Sequence, residues 1–408
     1  MTRRQRMACV AVAIVAGAGL AAAFHTRKGA DRVRPAPLVA AAGEMTTSRA
    51  DLELAMTAAE QKLAADPADG RAALTFAQAS LRRARIESNG GYTLKAERVL
   101  KNVLAREPSD YGALKMLGAV YLSQHRFHEA IEAATRATRV HPNEAWNYGV
   151  IGDAHIELGE YDAAFDAFDT MARLRPDAAA YARVAYAQEL QGRLQAAIGS
   201  MRMAAEATGA QDPESLAWHD AQIGNLLLQT GDIDGAAREF ARAGHAFPGH
   251  PFAEAGVARV AVARGQYDDA LNIYRALMSK APTSEIAIAA GDLLSMRGDE
   301  EGARAMYARA EAIERDAWLT EARLTTNLAR MLAERGVRTS EAVQLAEEAA
   351  RSRKDIFTMD ALAWSYFRAG RLSDAEEASR QARRTGTADR RILAHAAAIE
   401  QALGRGHA

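Results

Sequence analysis

Cysteine is almost absent from this 408-residue sequence: the single thiol, Cys9, lies in an apolar stretch near the N-terminus. Everything after it is therefore without disulfides, Cys-ligated zinc, iron–sulfur clusters or a cysteine nucleophile. Proline is scarce, at 10 residues, and aromatics make up 6%. Much of the 49% hydrophobic content is alanine and β-branched runs are few, a composition that favours helices packed closely through small side chains. Neither sign of charge dominates, the formal net charge being −1. The balance is uneven, because residues 1–34 hold seven basic side chains against Asp31, giving +6 there and −7 for the remainder. An acidic body with no basic stripe offers nothing to a phosphate backbone, so no nucleic-acid partner is expected.

What is present begins with an address. Met7 to Phe24 is an uncharged apolar run of 18 residues behind Arg3, Arg4 and Arg6, the layout of a signal peptide or a single membrane anchor. Ala21-Ala22-Ala23 supplies a small-x-small cleavage pattern, whereas Arg27 and Lys28 just beyond it resist translocation and favour a retained anchor. The twin arginine Arg3-Arg4 is followed by Arg6 where a Tat signal wants an apolar residue, and Cys9 stands at the wrong end of the run for lipidation. Pro35-Ala36-Pro37 and their surroundings carry no helical period and resemble a tether.

The rest of the chain repeats. Pro108, Pro142 and Pro176 are 34 residues apart, Pro213, Pro248 and Pro282 follow at 37, 35 and 34, and other residue types recur at fixed distances ahead of them. Twelve residues before Pro108, Pro142, Pro176, Pro248 and Pro282 stand Ala96, Ala130, Ala164, Ala236 and Ala270; seventeen before them stand Gly91, His125, Gly159, Gly231 and Gly265. Phe168, Phe240 and Tyr274 lie eight before the last three, and apolar-small pairs such as Ile151-Gly152 and Ile223-Gly224 lie further upstream. A proline closes each second helix, a left-handed glycine closes each first one, and Asp162, Asp232 and Asp268 are placed to cap the helix that follows. The alanine and the small residue let the two helices approach, and the aromatic is expected to fill the space between neighbouring hairpins.

This pattern resembles the tetratricopeptide repeat family from residue 67 to about 385. The resemblance implies an all-α fold, a right-handed α-α superhelix of about eight to nine helical hairpins with a C-terminal capping helix. The expected organisation is 1–24 signal peptide or anchor, 25–47 flexible linker, 48–66 N-terminal helix, 67–386 solenoid and 387–408 capping helix and tail. The stretch from Asp360 to Leu372, with His395, is also similar to the closing part of many bacterial exported members.

Catalytic patterns are missing. His125-Arg126-Phe127-His128-Glu129 straddles a turn without metal-site spacing, His245 and His250 flank Pro248 in a loop and are read as solvated, and Asp153, His155 and Glu157 alternate along a helix and face different ways. There is no phosphate-binding Gly-rich loop and no nucleophile elbow. No enzyme, no metal and no cofactor are expected.

In the family, first helices line a concave surface that holds extended peptides or helices. Thirty residues before Pro176, Pro248 and Pro282 come Trp146, Trp218 and Phe252; twenty-three before come Asp153, Asn225 and Arg259, with Tyr186 at the second place in the intervening hairpin. These seven form the candidate partner-binding groove, aromatic anchors with polar neighbours. The competing reading is that the superhelix buries them against the adjoining hairpin. The family's two-carboxylate clamp is absent, since Ala119 follows Lys115 one turn on and Val150 replaces an Asn. The expected function is a non-catalytic scaffold for a protein or peptide partner in the cell envelope, anchored in the inner membrane or periplasmic or secreted, touching membrane through its N-terminal segment only. The alternative is an accessory module of a polymer-secretion or maturation machine with a glycan ligand, which aromatic stacking would also serve.

Overall fold

The computed structural model describes residues 49–87, 91–209, 212–321 and 326–404. The N-terminal apolar run and the tether lie outside these residues. Among the described residues there are 20 helices and no strand: α1 Arg49–Ala65, α2 Gly70–Glu87, α3 Gly91–Arg106, α4 Tyr111–Ser123, α5 Phe127–Val140, α6 Ala145–Leu158, α7 Tyr161–Leu174, α8 Ala178–Leu190, α9 Leu194–Ala207, α10 Pro213–Thr230, α11 Ile233–Ala246, α12 Pro251–Ala263, α13 Tyr267–Lys280, α14 Ser284–Arg297, α15 Glu300–Glu321, α16 Thr326–Arg335, α17 Thr339–Ser352, α18 Ile356–Arg368, α19 Leu372–Ala382 and α20 Arg390–Ala402. From α2 to α19 they form nine successive hairpins, the tetratricopeptide solenoid expected. None of the described helices is long and apolar enough to cross a membrane. The residues divide into two compact units, one ending at Arg183 and the other beginning at Val184.

The repeat registers do the packing assigned to them. Ala96, Ala130, Ala164, Ala197, Ala236, Ala270, Ala342 and Ala375 are fully buried and Ala303 nearly so, which leaves no volume for a larger side chain between paired helices. The aromatic register fills space within its own hairpin as well as the space between hairpins that was expected. Phe168 lies over Gly152 of its own hairpin, where a Cβ would come within 2.3 Å of the ring, and Phe240 lies over Gly224 at 2.7 Å. The ring therefore seals a hairpin from inside, because the small residue opposite it is a missing side chain that a six-membered ring replaces. Phe240 also fills the space toward the next hairpin, as expected, since a Cβ on Gly256 there would come within 2.1 Å of its ring.

Helix ends show three further departures. Asp232 caps α11 by accepting from the Gly235 amide at 2.8 Å, but Asp162 and Asp268 sit in the first turns of α7 and α13, behind Glu160 and Gln266, which make no side-chain cap. There the carboxylates act on the positive end of the helix rather than on one amide. Gly91 opens α3 instead of closing a first helix. His125, the non-glycine of its register, takes the left-handed backbone of its neighbours at φ 57°.

Candidate functional site

Four of the seven proposed residues share one register, eleven positions ahead of the repeat alanine, namely Asp153, Tyr186, Asn225 and Arg259, and Trp146, Trp218 and Phe252 stand seven positions before three of them. Seven residues are two helical turns, so both places share one helix face.

In the first unit Trp146 is half-buried on α6. The Lys115 ammonium lies 5.4 Å from its ring centroid, and burial pulls the Lys115 pKa down. The Trp146 ring nitrogen is enclosed without a hydrogen-bond partner. Asp153 does not face solvent: it is buried, and Arg183 grips it from Nε at 3.0 Å and Nη2 at 2.7 Å. Burial pushes the Asp153 carboxyl up against the pull of that guanidinium. A fork of this kind fixes one helix against the next.

In the second unit Tyr186 and Phe252 are half-buried, whereas Trp218 is only 7% exposed. The Trp218 ring meets the His219 ring edge-on at 5.1 Å. At this position the buried alternative holds. Asn225 is buried too; its Nδ2 donates to Gln222 Oε1 at 3.3 Å, and its Oδ1 accepts from Arg259 Nη2 at 2.6 Å. Burial lowers the Arg259 guanidinium from its ordinary value, and the group lies 5.8 Å from the Phe240 ring centroid. Phe252 tilts against His250 with centroids 5.8 Å apart.

The loop histidine His250 is not solvated. It stands at the N-cap of α12 without capping it, is 3% exposed, and is lowered to about 4 by burial. The ring is therefore neutral at ordinary pH and packs as an aromatic.

The register continues beyond the residues singled out from the sequence. Asp292, eleven before Ala303, accepts from the Tyr307 hydroxyl at 2.7 Å and is pushed up to about 7, mainly by burial and then by Glu334. Trp364, eleven before Ala375, stacks on His395 with centroids 4.0 Å apart and planes 8° apart. Beneath it Asp360 takes His395 Nδ1 at 3.0 Å with Arg391 Nε at 3.5 Å. Burial works to raise Asp360, but His395 and Arg391 hold it below the ordinary carboxylate value. Counting from the alanines instead of the prolines, which stop at Pro282 over this stretch, would have found both. Among the described residues no group of three His, Cys, Asp or Glu side chains is placed to hold a metal ion.

Models of the tetratricopeptide repeat match residues 81–145, 150–213 and 227–293. No curated protein matches the chain. Solved structures similar to it include MamA 41-end from Desulfovibrio magneticus RS-1, at 21% identity and TM-score 0.35 over 44% of this chain and 95% of that one. Another is the APC/C hetero-tetramer Cut9–Hcn1, at 13% identity and TM-score 0.41 over 86% of this chain and 60% of that one. The repeat matches fall on α2 to α14, whose alanine, glycine and aromatic registers are those described above. The chain belongs to the tetratricopeptide repeat family.

Proposed function

We propose that the protein is a non-catalytic scaffold that holds a protein partner on the first-helix faces of its hairpins, and that its N-terminal run tethers it in the cell envelope or exports it there. Tetratricopeptide repeats are protein-interaction modules, which supports the general reading. The observation that carries the finer one is the recurrence of half-buried aromatics, Trp146, Tyr186 and Phe252, on the faces whose polar residues bond from one first helix to the next. Half-buried aromatics on a prepaid rigid frame bind with little ordering cost, and interface energy concentrates on such residues. Trp218 stands apart from this set as a packing residue.

The test is capture from envelope extract with the full chain as bait, repeated with Trp146→Ala and Phe252→Ala. Loss of about 2 kcal/mol of binding, roughly 30-fold, with unchanged melting supports the assignment. Capture that is indifferent to both changes sinks it, and binding to a glycan array in place of protein capture would move the ligand to the polymer class.

A further inference from the structure

The loop before α20 returns to a distant part of the second unit. Arg390 Nη2 donates to the carbonyl of Gln229 at 3.1 Å, a contact spanning 161 residues of sequence. Beside it two turns meet backbone to backbone: a Cβ on Gly192 would lie 2.6 Å from the Gly386 carbonyl oxygen and 3.2 Å from the Ala388 amide nitrogen. Both glycines are left-handed, at φ 71° and 78°, so a side chain at Gly192 is opposed by space and by backbone alike.

This contact brings two carboxyl groups together. Glu189, at the end of α8, accepts from Gln229 Nε2 at 2.7 Å. Asp389, on the incoming loop, acts on Glu189 through its charge and is committed as the cap of α20, accepting from the Arg391 and Ile392 amides at 3.0 Å each. The loop's own cation, Arg390, is turned to the Gln229 carbonyl. Around Glu189 the α10 side contributes the neutral Gln229 amide and the loop contributes Asp389, with no salt bridge to compensate.

We propose that Gly386–Arg390 is a pH-set clasp: it closes the second unit by seating on the turns after α8 and α10, and deprotonation of Glu189 opposite Asp389 releases it. Burial, with the Asp389 charge added, pushes Glu189 up to about 7 in the closed form. The sign follows from linkage. A carboxyl whose pKa is raised by closure binds a proton in the closed form that the open form has given up, so closure is favoured below the open-form value and weakens as pH rises through about 7. Gln229 keeps its hydrogen bond to either protonation state, which leaves the carboxylate pair as the switching element. The clasp does not depend on whether the first-helix faces bind a partner.

Arg383, Arg384, Arg390 and Arg391 bracket the clasp with trypsin sites, so its opening is read by cleavage of the full chain. The rate is measured for the native protein and for Glu189→Gln at each pH, and their ratio removes the protease's own pH dependence. From pH 6 to pH 8 that ratio is expected to rise about tenfold, since the Gln variant cannot ionise. Gly192→Ala, which adds the obstructing Cβ, and Arg390→Ala, which deletes the long-range bond together with its own trypsin site, should both raise cleavage after Arg383, Arg384 and Arg391 at pH 6 while helicity by circular dichroism is kept. A ratio flat across this range, or Gly192→Ala and Arg390→Ala cleaved like the native chain, overturns the clasp.

Discussion

Arg259 on α12 donates from Nη2 to Oδ1 of Asn225 on α10 at 2.6 Å, so two equivalent positions 34 residues apart are joined by a direct bond. The bond is charge-assisted and the acceptor is buried, which places it among the stronger classes of side-chain contact. It ties one hairpin to the next through their first helices.

A double-mutant cycle on Asn225→Ala and Arg259→Ala should give an interaction free energy of roughly 1–3 kcal/mol in chemical denaturation. Additive single effects would mean that the bond contributes nothing to stability.

Ala164→Leu and Ala236→Leu should each cost about 1–3 kcal/mol, because a branched side chain has no room between helices that meet over a fully buried alanine. Unchanged thermal melts in both variants would contradict the packing described for these hairpins.

The tryptophans should separate. Trp218→Ala removes core volume and is expected to cost about 3–5 kcal/mol of stability, whereas Trp146→Ala should cost clearly less and act on partner binding. Acrylamide quenching of single-tryptophan variants checks the geometry directly: Trp218 must be the better shielded of the two.

Asp292 gives a pH prediction with a definite sign. Its carboxyl is raised to about 7 in the folded chain from an ordinary 3.8, so the folded form holds a proton that the unfolded form has lost across that interval. Stability should fall as pH rises from about 4 to about 7, by at most about 1.4 kcal/mol per pH unit from this group. Urea titrations of Asp292→Asn against the native chain should show the slope reduced in the variant; identical slopes would exclude Asp292 as its source.

A phosphatase fused after residue 43 should be active in intact bacteria if the N-terminal run delivers the body across the inner membrane. An inactive fusion would return the protein to the cytoplasm.

The hairpins were legible because helix ends and close contacts are governed by a few residue types at fixed spacing, and Ala164, Gly159 and Pro176 announce one unit by themselves. Burial along the first-helix faces was not. A period places Trp146 and Trp218 on the same face, but the depth of each depends on what packs around it: Trp146 is half-buried beside the Lys115 ammonium, whereas Trp218 lies in a helix whose residues 217–228 are all buried. The return of Arg390 to Gln229 was invisible for a different reason: it joins residues 161 apart that no local spacing relates.

The seating of Phe168 on Gly152 and of Phe240 on Gly224 bears on how such a chain can change length. Each ring and the Gly152 or Gly224 position it fills in its own hairpin move together when a whole hairpin is inserted or deleted, so that part of the seal stays intact. A crossover between the two helices of a hairpin instead joins a first helix to a foreign second helix, and a ring then meets a side chain or a gap. Expansion and contraction of this solenoid should therefore proceed in steps whose breakpoints fall near the prolines, while Phe240, which also leans on Gly256, makes the joint after α11 the harder one to cut.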